Sequence, residues 1–233
     1  IFTFDANTLR FVDANRGACE NIGYTLDELR RMTPLDINPQ LTPESLARLI
    51  ESLRTRKERI ISLTTTHRRK NGTEYHAELH IEMTDDAHPL FIAVARDITE
   101  RQRLEQAVRQ LAQAVDQSPE SIAIADLDAN LEYVNAAFLR NTGYSRAEVL
   151  GENSRFLQSG KTPAAAYEAM WRALTQGQPW QGELFNKRKD GSELIEWARI
   201  SPIRQTDGRI THYLAIKEDI TMRRHDEQEL RRA

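Results

Sequence analysis

The sequence predicts an α+β chain made of two copies of one module, each an antiparallel five-stranded sheet with helices on one face. Three observations predict it: an internal repeat, helix-start signals in the first half of each copy, and hairpin signals in the second half. The repeat comes first. Gly23-Tyr24-Thr25-Leu26-Asp27-Glu28 returns as Gly143-Tyr144-Ser145-Arg146-Ala147-Glu148, and Thr42-Pro43 as Thr162-Pro163, both at an offset of 120. Lys70-Asn71-Gly72 returns as Lys189-Asp190-Gly191 at an offset of 119, and Asp97-Ile98-Thr99 as Asp219-Ile220-Thr221 at 122.

Each landmark has a local physical meaning. Val12 and the Tyr133-Val134 pair fall in short strands near the start of each copy. Thr25-x-x-Glu28 and Ser145-x-x-Glu148 are capping boxes, in which hydroxyl and carboxylate satisfy free amides at a helix start. Thr42 and Thr162 read as N-cap hydroxyls before a proline at the first helical position. In the helices that follow, Leu46, Leu49, Ile50 and Leu53 share one face, as do Tyr167, Met170, Trp171 and Leu174. Gly177 and Pro179 end the second of these. Asn71-Gly72 and Asp190-Gly191 are tight turns between alternating segments. Each copy therefore runs strand, strand, short helices, a longer helix, then three strands. Between the copies, residues 98–115 read as a helix with Leu104, Val108, Leu111 and Val115 spaced 4, 3, 4. That is the spacing of a coiled-coil seam, favouring a homodimer over a helix packed on its own module.

The bulk numbers set limits. A chain of 233 residues has room for two ordinary domains. A formal net charge of −3 gives no basic field, so no nucleic acid is expected as partner. The single cysteine, Cys19, excludes an internal disulfide and suits a reducing, cytoplasmic setting; it reads as a small core residue. No apolar run is long enough to span a bilayer, so no membrane contact is expected of this region. No nucleophile elbow, phosphate-cradling glycine loop, zinc spacing or kinase motif is present, so no catalysis is expected within these residues.

This arrangement resembles the PAS family over nearly the whole chain. The resemblance is carried by Phe11-Val12 through Asn15, Tyr133-Val134-Asn135, the Gly-Tyr capping boxes, the Lys-x-Gly hairpins and the two Asp-Ile-Thr exits. It implies a sensory input region of a cytoplasmic signalling protein, of sensor histidine kinase type, with the Asp-Ile-Thr element starting the helix that leads to an output domain. It divides the chain into a module at 1–99, whose start lies at its first strand, a helical linker at 100–117, a module at 118–221 and the start of an output helix at 222–233.

The second module resembles a narrower group. Gly151-Glu152-Asn153-Ser154-Arg155-Phe156-Leu157-Gln158 is similar to the flavin signature of LOV photoreceptors, with Ser154 in place of their cysteine. Ser159-Gly160-Lys161-Thr162-Pro163 and Pro179-Trp180-x-Gly182 are closer to FAD-binding redox PAS domains of nitrogen-fixation-regulator and methane-oxidation-sensor type. The resemblance implies FAD rather than FMN. Asn186 matches a flavin-ring asparagine. Glu196 stands where LOV domains have a second asparagine and Lys217 where they have the switching glutamine; both depart from LOV photochemistry.

The implied chemistry distributes roles. Asn153, Gln158 and Asn186 offer amides for a pyrimidine edge, and Arg155 a planar fork for a phosphate. Trp180, Phe156, Tyr213 and Trp197 are candidate walls of the ring slot, or plain core. Ser154 cannot form the photochemical thioether, which points to redox or oxygen rather than light; it also suits a loop-capping role. Glu196 and Lys217 face each other across the late strands, either as groups tuning a flavin or as a half-exposed ion pair. The first module lacks the Gly-x-Asn-x-Arg run and has His67 where the second has Asn186; it is expected to hold another ligand, none, or to relay. His67, His76, His80 and His88 read as solvated strand histidines without metal. A cofactor-free dimerisation module is the alternative for the whole chain.

Overall fold

The computed structural model describes residues 1–85 and 87–232. The chain separates into two compact units, Ile1–Ala107 and Val108–Ala233. The first contains β1 (Phe2–Asp5), β2 (Phe11–Ala14), α1 (Arg16–Ile22), α2 (Leu26–Leu29), α3 (Pro34–Ile37), α4 (Pro43–Arg54), β3 (Ile60–Arg68), β4 (Glu74–Met83) and β5 (Leu90–Asp97). Helix α5 (Thr99–Asp116) follows, and the division between units falls inside it. The second unit repeats the order: β6 (Ser121–Ala125), β7 (Leu131–Val134), α6 (Ala136–Thr142), α7 (Arg146–Val149), a 3₁₀ turn at Ser154–Leu157, α8 (Ala164–Thr175), β8 (Trp180–Lys187), β9 (Glu193–Arg204), β10 (Ile210–Asp219) and α9 (Thr221–Arg232).

Both sheets are antiparallel, with strand orders β2-β1-β5-β4-β3 and β7-β6-β10-β9-β8. This is the α+β class that the repeat predicts. The capping boxes form at Thr25/Glu28 and Ser145/Glu148. Each glutamate also takes a lysine from the hairpin turn: Lys70 Nζ lies 2.6 Å from Glu28 and Lys189 Nζ 2.5 Å from Glu148. The lysine's hydrogen bond, with the cap amides, holds each carboxyl down to about 2. Helix start and hairpin are thereby tied together in both units.

Two local expectations are corrected. Helix α8 begins at Ala164 with Pro163 in the capping position, so Thr162 is not its cap. Instead Thr162 Oγ1 accepts the Phe185 N–H of β8 at 2.8 Å, a strand-edge bond with which the capping role would compete. His67 is not solvated: it is buried beside Tyr75, with Nδ1 3.0 Å from the Tyr75 hydroxyl. Burial pushes its pKa down to about 4 and that of Tyr75 up to about 12.

The two cores differ. In the first, Phe2, Phe4, Phe11 and Phe91 pack together beneath Leu46, Ile50 and Leu53 of α4, with Phe4 and Phe91 rings 5.2 Å apart. In the second the core is divided: one cluster holds Val134, Phe138 and Leu157, the other Met170, Leu174 and Tyr213. Helix α5 buries none of its residues, and Leu104, Val108 and Leu111 are 61, 66 and 68% exposed. Among the described residues no helix is long and apolar enough to cross a membrane.

Candidate functional site

Between the divided clusters of the second unit lies a cavity of about 360 Å³. Strand register explains why it exists. Ala123 and Ala125 of β6 lie opposite Ala215 and Tyr213 of β10, on the face toward the helices. In the first unit the corresponding places, read from the same pairings, are Phe2 and Phe4, opposite Ala93 and Phe91. Across the sheet, Ala198 and Gly182 pair where the first unit pairs Leu79 with Leu63. Small residues thus open the second sheet where large ones fill the first, whose own cavity is about 40 Å³.

The apolar walls include Phe138, Met170, Trp171, Leu174 and Tyr213. Trp171 and Tyr213 meet edge to face at 5.8 Å. The polar lining brings together six predicted residues: Asn153, Ser154, Arg155, Gln158, Asn186 and Lys217. Asn153 ends the loop before the 3₁₀ turn. Its Oδ1 accepts from the Arg155 backbone N–H and Nε, and its Nδ2 donates to the Asp128 carbonyl at 2.6 Å. The Ser154 N–H donates to the Ala129 carbonyl, so the loop containing left-handed Ala129 (φ 68°) forms one wall. Gln158 bridges to Asn186 of β8 through the backbone.

Glu196 lies directly behind this lining. It is 1% exposed, and its Oε2 accepts from Asn186 Nδ2 at 2.7 Å and from Lys217 Nζ at 3.3 Å. Lys217 is itself 8% exposed. The half-exposed pair weighed from sequence is therefore a buried one, held by a third, amide partner.

Three predicted wall residues are elsewhere. Trp197 stands between Glu196 and Ala198 on β9, and alternation turns it to the opposite face of the sheet. Phe156 packs against Tyr144, rings 5.0 Å apart, away from the cavity. Trp180 lies over Gly182, where an added Cβ would come within 2.6 Å of the indole, and it does not line the cavity. Tyr167, Met170, Trp171 and Leu174 do line it. The sequence marked that stripe as one helix face, and only the missing bulk on β6 shows that the face borders a space. No group of His, Cys, Asp and Glu that could hold a metal is present among the described residues.

The cavity suits a planar heteroaromatic ring: its volume falls in the range of small-molecule sites, its walls are largely apolar, and the Asn186 amide and Lys217 ammonium of its lining meet on Glu196. Comparison with known proteins agrees with the fold. A model of the PAS domain matches residues 1–100 and 119–222. The nitrogen fixation regulatory protein of Klebsiella oxytoca is 43% identical over 117 residues, covering 50% of this chain and 24% of that protein. The bacterioopsin transcriptional activator of Halobacterium salinarum is 32% identical over 201 residues, covering 84% of this chain and 28% of that protein. Blue-light-activated histidine kinase 2 of Erythrobacter litoralis is 35% identical over 105 residues, covering 44% of this chain and 30% of that protein. The chain spans less than a third of the length of each of these relatives.

Proposed function

Because the chain belongs to the PAS domain family through both of its units, we propose that it is the sensory input region of a signal-transduction protein, with a flavin in the second unit and redox state as its signal. The observation that carries this reading is the cavity opened by Ala123, Ala125 and Ala215 beside Asn186 and Lys217, in a unit whose residues 151–158 resemble a flavin signature.

Bound there, a flavin supplies reversible electron uptake. The chain's own residues do the rest. Asn186 and Gln158 orient the pyrimidine edge, and Trp171, Tyr213 and Met170 exclude water from the ring faces. Lys217 places a positive charge at the polar end, favouring added electron density. Arg155, exposed at the lining, is placed for a phosphate, and we assign FAD rather than FMN. Ser154 offers no thiol for light-driven bond formation, which favours redox sensing.

The first unit, with its cavity filled, is assigned a relay role. The chain is assigned no catalysis, a cytoplasmic setting, a homodimeric state through the exposed Leu104-Val108-Leu111 stripe, and an output domain of histidine kinase type in the parent protein. That stripe equally favours the second reading, a cofactor-free dimerisation module. Absorbance of the purified chain, as isolated and after dithionite, separates the two. Flavin bands that bleach on reduction support the sensor; a preparation that stays colourless after incubation with FAD overturns it.

A further inference from the structure

The dipeptide Ile195-Glu196 touches two places at once. On the side-chain face, Glu196 Oε2 accepts from Asn186 Nδ2 and Lys217 Nζ. A carboxylate only accepts, so this bond fixes the orientation of the Asn186 amide: Nδ2 toward Glu196, Oδ1 away from it. Among the described residues nothing donates to that Oδ1, and it is not among the buried atoms lacking a partner. The end of the cavity therefore presents an acceptor from β8 and a cation from β10, with Glu196 of β9 setting both.

On the backbone side, the Ile195 N–H donates to Thr221 Oγ1 at 2.9 Å, and its carbonyl accepts the Ile220 N–H at 2.8 Å. These two bonds hold the start of α9. The first unit has the same clamp: the His76 N–H donates to Thr99 Oγ1 at 2.9 Å and its carbonyl accepts from Ile98 at 2.9 Å. There the following residue is Ala77, and Ala95 occupies the place of Lys217. The clamp is common to both units; the buried carboxylate behind it belongs to the unit with the cavity.

We propose that Glu196 is a positioning residue that couples the charge at the ligand's polar edge to the exit helix α9. This rests on the reading of the cavity as a flavin site. With a neutral edge, Lys217 stays on Glu196. With a more negative edge, Lys217 moves toward it, and Glu196 retains Asn186 alone. A buried carboxylate that loses a charged donor is costly, so β9 readjusts around Glu196, and the adjacent peptide of Ile195 conveys the change to Ile220 and Thr221.

The test is hydrogen exchange of the segments around Ile195 and Thr221–Arg232 in the full chain. Wild type, Glu196→Gln, Lys217→Met and Lys217→Arg are each measured ligand-free, with FAD, and with FAD reduced by dithionite. Wild type should exchange differently in the oxidised and reduced states. Compared at FAD concentrations that saturate each variant by absorbance, Glu196→Gln and Lys217→Met should shrink that difference by about threefold or more, and Lys217→Arg should preserve it. A wild-type protein that binds FAD without any difference, or variants that keep the full difference, overturns the proposal. Failure of wild type to bind FAD overturns the flavin reading instead, and the ligand-free arm still decides the coupling. There Glu196→Gln should speed exchange at Ile195 and Ile220, and unchanged rates overturn the coupling. Should Glu196→Gln not fold, Lys217→Met carries the same comparison.

Discussion

Ala123 of the second unit holds the sheet position that Phe2 holds in the first. Ala123 is flanked by Val134 and Ala215, and Phe2 by Ala14 and Ala93. Ala123 is one of the small residues that leave the second sheet hollow where large ones fill the first. Ala123→Phe should therefore fill the cavity without overpacking the surrounding core. The expected outcome is a folded protein, with wild-type circular dichroism and melting behaviour, that has lost flavin absorbance.

His67 makes the first unit sensitive to mild acid. Unfolded, its imidazole takes a proton at about the ordinary 6.5; folded, burial delays this to about 4. The unfolded state thus binds more protons in that window, and stability falls as pH drops from 6.5 to 4. The loss from this group is at most ~3 kcal/mol. It is complete below that window and absent above it. Glu28 and Glu148, held down to about 2, act in a separate window: their stabilisation is present above about 4.5 and lost as pH falls toward 2. Urea unfolding across pH should show the first window, and His67→Asn should flatten it.

Thr221 supplies the hydroxyl that receives the Ile195 N–H and itself donates to Asp219. Thr221→Ala should fray the first turn of α9, by about 1 kcal/mol, while Thr221→Ser should not. Amide exchange across Ile220 and the first turn measures it. Flavin binding should be unaffected in both, since Thr221 lies outside the cavity.

The exposed stripe on α5 gives a prediction about assembly. Leu104→Lys with Leu111→Lys places cations on the proposed seam without touching either core, because α5 buries no residue. Light scattering should show a dimer for wild type and a monomer for the double variant, with melting of the units little changed. A wild-type monomer would refute the seam.

Much of this fold was legible because its signals are local. Gly23 and Gly143, the capping boxes at Thr25 and Ser145, and the two hairpin turns each specify a few residues of backbone, and their repetition shows that the two halves share one fold. The site was legible in part. Asn153, Ser154, Arg155, Gln158, Asn186 and Lys217, singled out from the sequence, line one cavity. Of the aromatic candidates, Tyr213 lines the cavity while Trp180, Phe156 and Trp197 do not; a strand sends neighbours to opposite faces, so parity depends on register, and Trp197, one place from Glu196, faces away. The harder signal was an absence of bulk. Ala123, Ala125, Ala198 and Gly182 look unremarkable singly and become informative only when set against Phe2, Phe4, Leu79 and Leu63 of the other copy. Thr162 was misassigned because a hydroxyl before proline serves a strand as readily as a helix.

The shared clamp at His76/Thr99 and Ile195/Thr221 bears on how such chains diversify. Its parts are backbone groups and one hydroxyl, so it is indifferent to what fills the interior. After duplication, a copy can lose its ligand by gaining a few large side chains, or recruit one by losing them, while its connection to the following helix is inherited intact. The clamp and the filling of the interior are separate features of this architecture: the two units share the first and differ in the second.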